Sequence, residues 1–219
     1  MGIAALLVFA VFAVMPNILL GAAYADMRLL PYALTIALLG LETTGRVSPR
    51  GARALALAAI SLFALRLVDQ TWTYFAIDRG WQEQEAAIEA MPRGARVFAL
   101  VGVECNNVWD SRRMQHIDGF ALTRREAFTN GQWPMPGGKL LTITSLPARG
   151  FDLDPSQMLW PEECQDQGMR LPYVLAHLPR RAFDYLWMID VEPARQPSDP
   201  GLVPVWRGPG RGVLYWIAR

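Results

Sequence analysis

Only eight of the first 75 residues carry a charge: Asp26, Arg28, Glu42, Arg46, Arg50, Arg53, Arg66 and Asp69. Between and around them lie three apolar runs, at 2–15 (extended by 18–25 past Pro16 and Asn17), 29–41 and 52–68. Runs of this kind need either a large protein core or a hydrocarbon solvent. About 20 helical residues at 1.5 Å each cross the hydrocarbon of a bilayer. The first stretch is long enough, with a kink expected at Pro16. The second reaches spanning length only if its helix begins near Asp26. The third is the clearest, and it runs out into Trp72, Tyr74, Phe75 and Trp81, aromatic residues of the kind that sit at the headgroup boundary.

The composition of the whole chain agrees with this. Of 219 residues 19% are charged, against about 25% in ordinary globular proteins, and the deficit is concentrated at the N-terminus. A net charge of +1 offers no basic face for nucleic acid. Every basic residue except Lys139 is arginine, which fits GC-rich coding and a bacterial source.

Arginine placement sets the orientation. The 42–53 loop between the second and third runs holds Arg46, Arg50 and Arg53 against one acid, whereas the loop between the first two holds Asp26 and Arg28. Arginine excess marks the cytoplasmic side, so the third span runs outward and delivers the rest of the chain to the periplasm. Ala23-Tyr24-Ala25 before Asp26 also fits a signal-peptidase site. Against cleavage stand the length of the run and the lack of a basic residue before it, a lack that equally suits the tail of a longer multi-span protein. Cleavage would leave the orientation unchanged.

The expected architecture is therefore a membrane α-helical bundle of about three spans (residues 1–76) followed by a small soluble α/β domain (77–219) with a C-terminal β-hairpin. In that domain 81–91 has helical composition and stops at Pro92-Arg93-Gly94. Residues 96–103 read as a buried strand. Further strands are expected at 140–144, 185–191, 203–206 and 213–217, the last two joined through the breaker-rich 208–212. A short helix is expected at 171–178, and loops at 132–138 and 192–201. Cys105 and Cys164, the two cysteines, both fall in the external part, where oxidation is permitted. A bridge between them would close a loop worth about 4 kcal/mol in the chain-entropy picture; two buried thiols are the alternative.

Chemistry is sparser. Asp26 and Arg28 stand at the outer end of the first two spans, where a charged group is costly and often functional. An arginine there suits a lipid phosphate and an aspartate suits general-base work on a hydroxyl; a solvated interface loop is the simpler reading. Arg66 and Asp69, three apart on one helix face, suit a local ion pair, or Arg66 snorkels to the headgroups. His116 and His177 with Glu104, Cys105, Asp118 and Cys164 have no tight ligand spacing, so no metal is expected, nor any cofactor. Pro136-Gly137-Gly138-Lys139 lacks the first glycine and the hydroxyl residue of a phosphate loop and reads as a turn. The pairs Arg112-Arg113, Arg124-Arg125 and Arg180-Arg181 read as solvated, with anionic headgroups as an alternative partner.

Several stretches together carry a resemblance: 26–31 (DMRLLP), 87–98 (AIEAMPRGARVF), 116–128 (HIDGFALTRREAF), 183–190 (FDYLWMID) and 213–217 (VLYWI). They resemble the C-terminal portion of bacterial multi-span envelope proteins similar to the glycosyltransferase C superfamily. The resemblance implies a periplasmic domain after the last span and a polyprenyl-phosphate-linked sugar as substrate. It implies Arg28, supported by Arg66, as phosphate-binding groups, and Asp26 as the catalytic-site residue, assisting as orienter or base. That superfamily places its catalytic acid in the first external loop of about eight or more helices, whereas this chain has about three spans and a single loop acid. Asp26 and Arg28 then suit positioning of the lipid phosphate better than chemistry. The rival expectation is a non-catalytic anchored envelope protein whose periplasmic domain binds a partner or glycan.

Overall fold

A computed structural model of the chain describes residues 2–16, 27–40, 48–105, 114–131, 158–164 and 169–218. Asp26, the turn at 136–139, the Arg112-Arg113 pair, the loop at 132–138, the strand expected at 140–144 and part of the 42–53 loop lie outside the described residues.

Helices α1 (Gly2–Val14) and α2 (Leu30–Leu39) come from the first two apolar runs. They pack on one another, and their buried residues are Ala5 and Ala33. Small side chains let two helix backbones approach closely. Helix α3 (Pro49–Glu89) is 41 residues long. Ser48 caps it, its hydroxyl accepting from the Gly51 amide at 3.1 Å, and Pro49 takes the first position, where no amide hydrogen is needed. The sequence places the third apolar run and the 81–91 segment separately, on the two sides of the expected 76/77 boundary. Instead the two form one helix, because residues 69–83 hold no proline and Gly80 is tolerated. Gly80 also makes room for a neighbour, since a Cβ there would lie 3.0 Å from the Met114 methyl. The helix ends where expected, with Gly94 at φ +72°.

Two compact units divide the chain, and the boundary falls inside α3, between Asp69 and Gln70, a few residues before the expected 76/77. Among the described residues, α3 is the one helix long and apolar enough to cross a membrane; α1 and α2 are shorter.

The second unit is built on a six-stranded mixed sheet in the order β2-β1-β4-β6-β5, with β3 also on β1. Its strands are β1 (Arg96–Gly102), β2 (Phe128–Thr129), β3 (Met158–Leu159), β4 (Tyr185–Ile189), β5 (Leu202–Arg207) and β6 (Gly212–Ile217). Strands β1 and β4 run parallel, and β4–β6 and β6–β5 antiparallel. Strand β1 is buried on both faces. Val97, Ala99 and Val101 meet Ala87 and Ile88 of α3 and Ala121 of α4 (Gly119–Arg125). Phe98 and Leu100 meet the other layer, where Val174 of α5 (Leu171–His177) packs with Phe183, Leu186 and Met188. Helices on both faces explain why this strand reads as an unbroken apolar run.

The outer edge of β1 is served in three pieces. Strand β2 pairs with Arg96 and Val97, and β3 with Val101 and Gly102. Between them the buried Asn130 side chain accepts from the Ala99 amide at 2.6 Å and donates to its carbonyl at 3.0 Å. One amide side chain thus replaces the missing strand residue, as a buried backbone group requires. Cys105 and Cys164 form a disulfide with a Cα–Cα distance of 5.4 Å, tying the end of β1 to the turn after β3. Arg170 holds that turn by donating to the Pro161 and Cys164 carbonyls at 2.6 and 2.5 Å.

Candidate functional site

The two ends of the parallel strand pair differ in charge. At the amino end, Asp184 accepts from Arg96 Nη2 at 2.6 Å and Nε at 2.9 Å, a paired geometry that fixes both side chains. The hydrogen bonds to Asp184 hold the Arg96 guanidinium above its ordinary pKa. Burial, with Asp184 beside it, pushes the Tyr185 phenol up. This end is a clamp.

The carboxyl end gathers like charges around one cation. Arg211, in the turn between β5 and β6, places Nη1 3.1 Å from Glu104, Nε 3.2 Å from Asp190 and Nη2 3.6 Å from Glu192. Glu104 follows β1 and Asp190 and Glu192 follow β4, so the three acids arrive from the carboxyl ends of both parallel strands. Asp190 takes a left-handed conformation at φ +53°, and Gly102 is what lets it sit there. A Cβ at residue 102 would lie 2.3 Å from the Asp190 carbonyl oxygen. Beneath the rim, Gln84 of α3 donates to the Arg211 carbonyl at 3.4 Å and lies against Gly212, where a Cβ would come within 2.4 Å of its side-chain oxygen. Because β2 and β3 lie to one side of β1 and β4 to the other, this is the switch point of the sheet, the usual crevice for ligands in α/β proteins. Three carboxylates against one guanidinium make the rim anionic, suited to hydroxyl or cationic groups and unsuited to a phosphate.

The residues expected from the sequence are distributed elsewhere. Arg28 lies in the turn before α2 and Arg66 on α3; both are exposed, and neither forms an ion pair among the described residues. The i,i+3 pair of Arg66 with Asp69 is not formed. His177 stacks on Tyr173 with ring centroids 4.2 Å apart and shares a 2.8 Å hydrogen bond with the Tyr173 carbonyl. His116 takes φ +72° ahead of α4. Among the described residues no group of three or more His, Cys, Asp or Glu could hold a metal ion. Three arginines read as solvated have protein partners instead. Arg124 pairs with Glu85 at 2.7 Å, Arg125 with Glu89, and Arg180 with Asp199. The first two fasten α4 to α3, which is where a charged side chain on a short helix gains most.

A second feature lies on α3 itself. Thr71, Tyr74, Phe75, Ile77, Asp78 and Trp81 line an open, largely apolar pocket of about 550 Å³. The Arg79 guanidinium lies 4.7 Å from the Phe75 ring centroid, and Trp81 meets Phe120 edge-on at 5.7 Å.

The Arg211 cluster escaped the sequence reading, although a signal was present: an acid directly after the apolar strand at 185–189 and another shortly after that at 96–102. The chain matches no protein-family model, no curated protein and no solved structure.

Proposed function

We propose that this chain is an integral membrane protein of the bacterial envelope, its three apolar segments spanning the inner membrane and its α/β domain lying in the periplasm. The observation that carries this reading is the surface of α3. Through residues 52–68 its apolar side chains are exposed all round, whereas its buried residues are Gln84, Ala87 and Ile88 at the far end. A stripe on one face would indicate a protein partner; apolarity on every side indicates lipid. The rise from Arg53 to Trp72 is about 28 Å, close to the thickness of the hydrocarbon layer. The disulfide fits an oxidising compartment.

Within that frame the activity is glycosyltransferase-like, on sugars carried by polyprenyl phosphate. Arg28 and Arg66 bind the lipid phosphate, and Asp26 serves as orienter or base. Arg28 and Arg66 are exposed and form no ion pair among the described residues, as is also true of Arg50 and Arg53 at the start of α3, and this leaves both guanidiniums open to a phosphate partner. Lipid phosphate and carrier are the partners of that site. The alternative, a non-catalytic anchored protein whose periplasmic domain binds a partner or glycan, draws on the rim around Arg211, whose charge suits hydroxyl-rich ligands.

Native mass spectrometry of protein in mild detergent, beside an Asp26→Ala/Arg28→Ala variant, separates the two. Retention of a polyprenyl-phosphate species by the parent and its loss from the variant supports the transferase reading. Equal co-purification of bulk phospholipid alone with both proteins overturns it in favour of the anchored binding protein.

A further inference from the structure

Within the second unit, the direction of α3 fixes which end of the sheet lies nearer the aromatic residues Trp72, Tyr74 and Phe75. Gln84 contacts Arg211 and Gly212. Gly212 pairs with Ile189, which pairs with Val101, so Gln84 stands level with the carboxyl ends of β1 and β4. Farther along, the Ile88 carbonyl accepts from Arg125 Nε at 3.1 Å, and Arg125 precedes Glu126, which pairs with Arg93 ahead of β1. Helix α3 therefore runs antiparallel to β1, and its Gln70 end leads away from the carboxyl-end rim, not from the Arg96–Asp184 clamp.

We infer that the carboxyl-end rim of the sheet, bearing Glu104, Asp190, Glu192 and Arg211, is the face turned to the lipid surface, standing off from it. Resting on the membrane reading above, Trp72, Tyr74 and Phe75, all exposed, mark the headgroup level. From Trp72 to Gln84 the helix rises about 18 Å, roughly two Debye lengths at physiological salt. An acidic rim held at that height is screened from anionic headgroups, and an aqueous gap is left beneath it. The clamp end stands roughly 17 Å farther out, the length of β1 between the two levels. A helix tilt of about 20° shortens both distances by a few per cent and leaves their order unchanged. The open pocket at 71–81 lies in the gap, running from Thr71 at its lipid end to Trp81 at its rim end.

Spin labels measure the heights directly. With both native cysteines bonded, Glu192→Cys at the rim and Glu126→Cys at the clamp end each add one free thiol, and Arg195→Cys with Arg93→Cys is a second pair should either variant misfold. The full chain is reconstituted into phosphatidylcholine vesicles containing a nickel-chelating headgroup lipid, and relaxation of each label by nickel is recorded. The inference requires relaxation several-fold stronger at the rim label than at the clamp label. Equal or reversed relaxation in protein that floats with the vesicles overturns the orientation and leaves the anchor intact. Protein that fails to float overturns the membrane reading itself.

Discussion

Leu62 and Ile88 belong to the same uninterrupted helix, yet Leu62 is 70% exposed and Ile88 is 0% exposed. Around Ile88 the helix lays one stripe against Val97, Ala99 and Val101 and turns charged residues outward. Around Leu62 apolar side chains point in every direction. On the membrane reading proposed above, two solvents account for the difference: protein on one side and water on the other around Ile88, hydrocarbon on all sides around Leu62.

The largest way to break this comparison is to charge the hydrocarbon segment. Asp at Ala58 and Leu62 together costs about 5–7 kcal/mol on the membrane-insertion scale. With the first two segments still in the membrane, the double variant is expected to leave the α/β unit on the cytoplasmic side, so that Cys105 and Cys164 stay reduced in a thiol-alkylation assay. A disulfide that still forms would show that 52–68 does not carry the α/β unit across the membrane. Next in size is the covalent tie. Cys105→Ser/Cys164→Ser lowers the stability of the α/β unit by about 4 kcal/mol, read from denaturant unfolding in detergent, and leaves membrane association unchanged. The comparison is sharpened by truncating the two residues themselves. Ile88→Ala costs about 2–5 kcal/mol through a core cavity, whereas Leu62→Ala costs less than about 0.5 kcal/mol in the same assay. Similar losses at both sites would mean that Leu62 also has a protein partner.

The smallest effect concerns charge within the folded unit. The Gly201 amide, and after it the Arg180 guanidinium, holds the Asp199 carboxyl below its ordinary range. Its folded pKa being depressed, the stabilisation is present above the unfolded value of about 3.9 and is lost as pH falls through the folded value. Asp199→Asn is therefore expected to melt earlier than the parent at neutral pH, with the difference shrinking in acid as the folded Asp199 carboxylate is protonated, below the ordinary carboxylate range. A difference that stayed constant with pH would assign the loss to packing instead. Gly201 is part of this contact, because a Cβ there would lie 2.7 Å from an Arg180 nitrogen.

Much of the sheet was legible. Strands at 96–102 and 185–189 announce themselves as short apolar runs between breakers, and Gly208, Pro209 and Gly210 mark the hairpin. The short helix expected at 171–178 forms over Leu171–His177. Helix α4 was not read, since seven residues with a mixed pattern give no periodicity to count, and its end at Glu126 is a left-handed residue other than glycine. Asn130 was missed for a related reason: nothing local distinguishes an asparagine in a turn from one that completes a sheet edge 31 positions away. The site was legible only in part, because Arg211 meets its acids across separations of up to 107 residues, and no spacing rule reaches that far.

Sequence alone determined where the chain lacks charge, which short runs become strands and where α3 stops, because these depend on solvation and backbone preference within a few residues. The pairing of Cys105 with Cys164, the service of the β1 edge by Asn130 and the crowding of three carboxylates around Arg211 were decided by the tertiary structure. Each needs groups far apart in sequence to arrive within hydrogen-bonding or bonding distance, and only the packed sheet, with α3 lying antiparallel across it, brings them there.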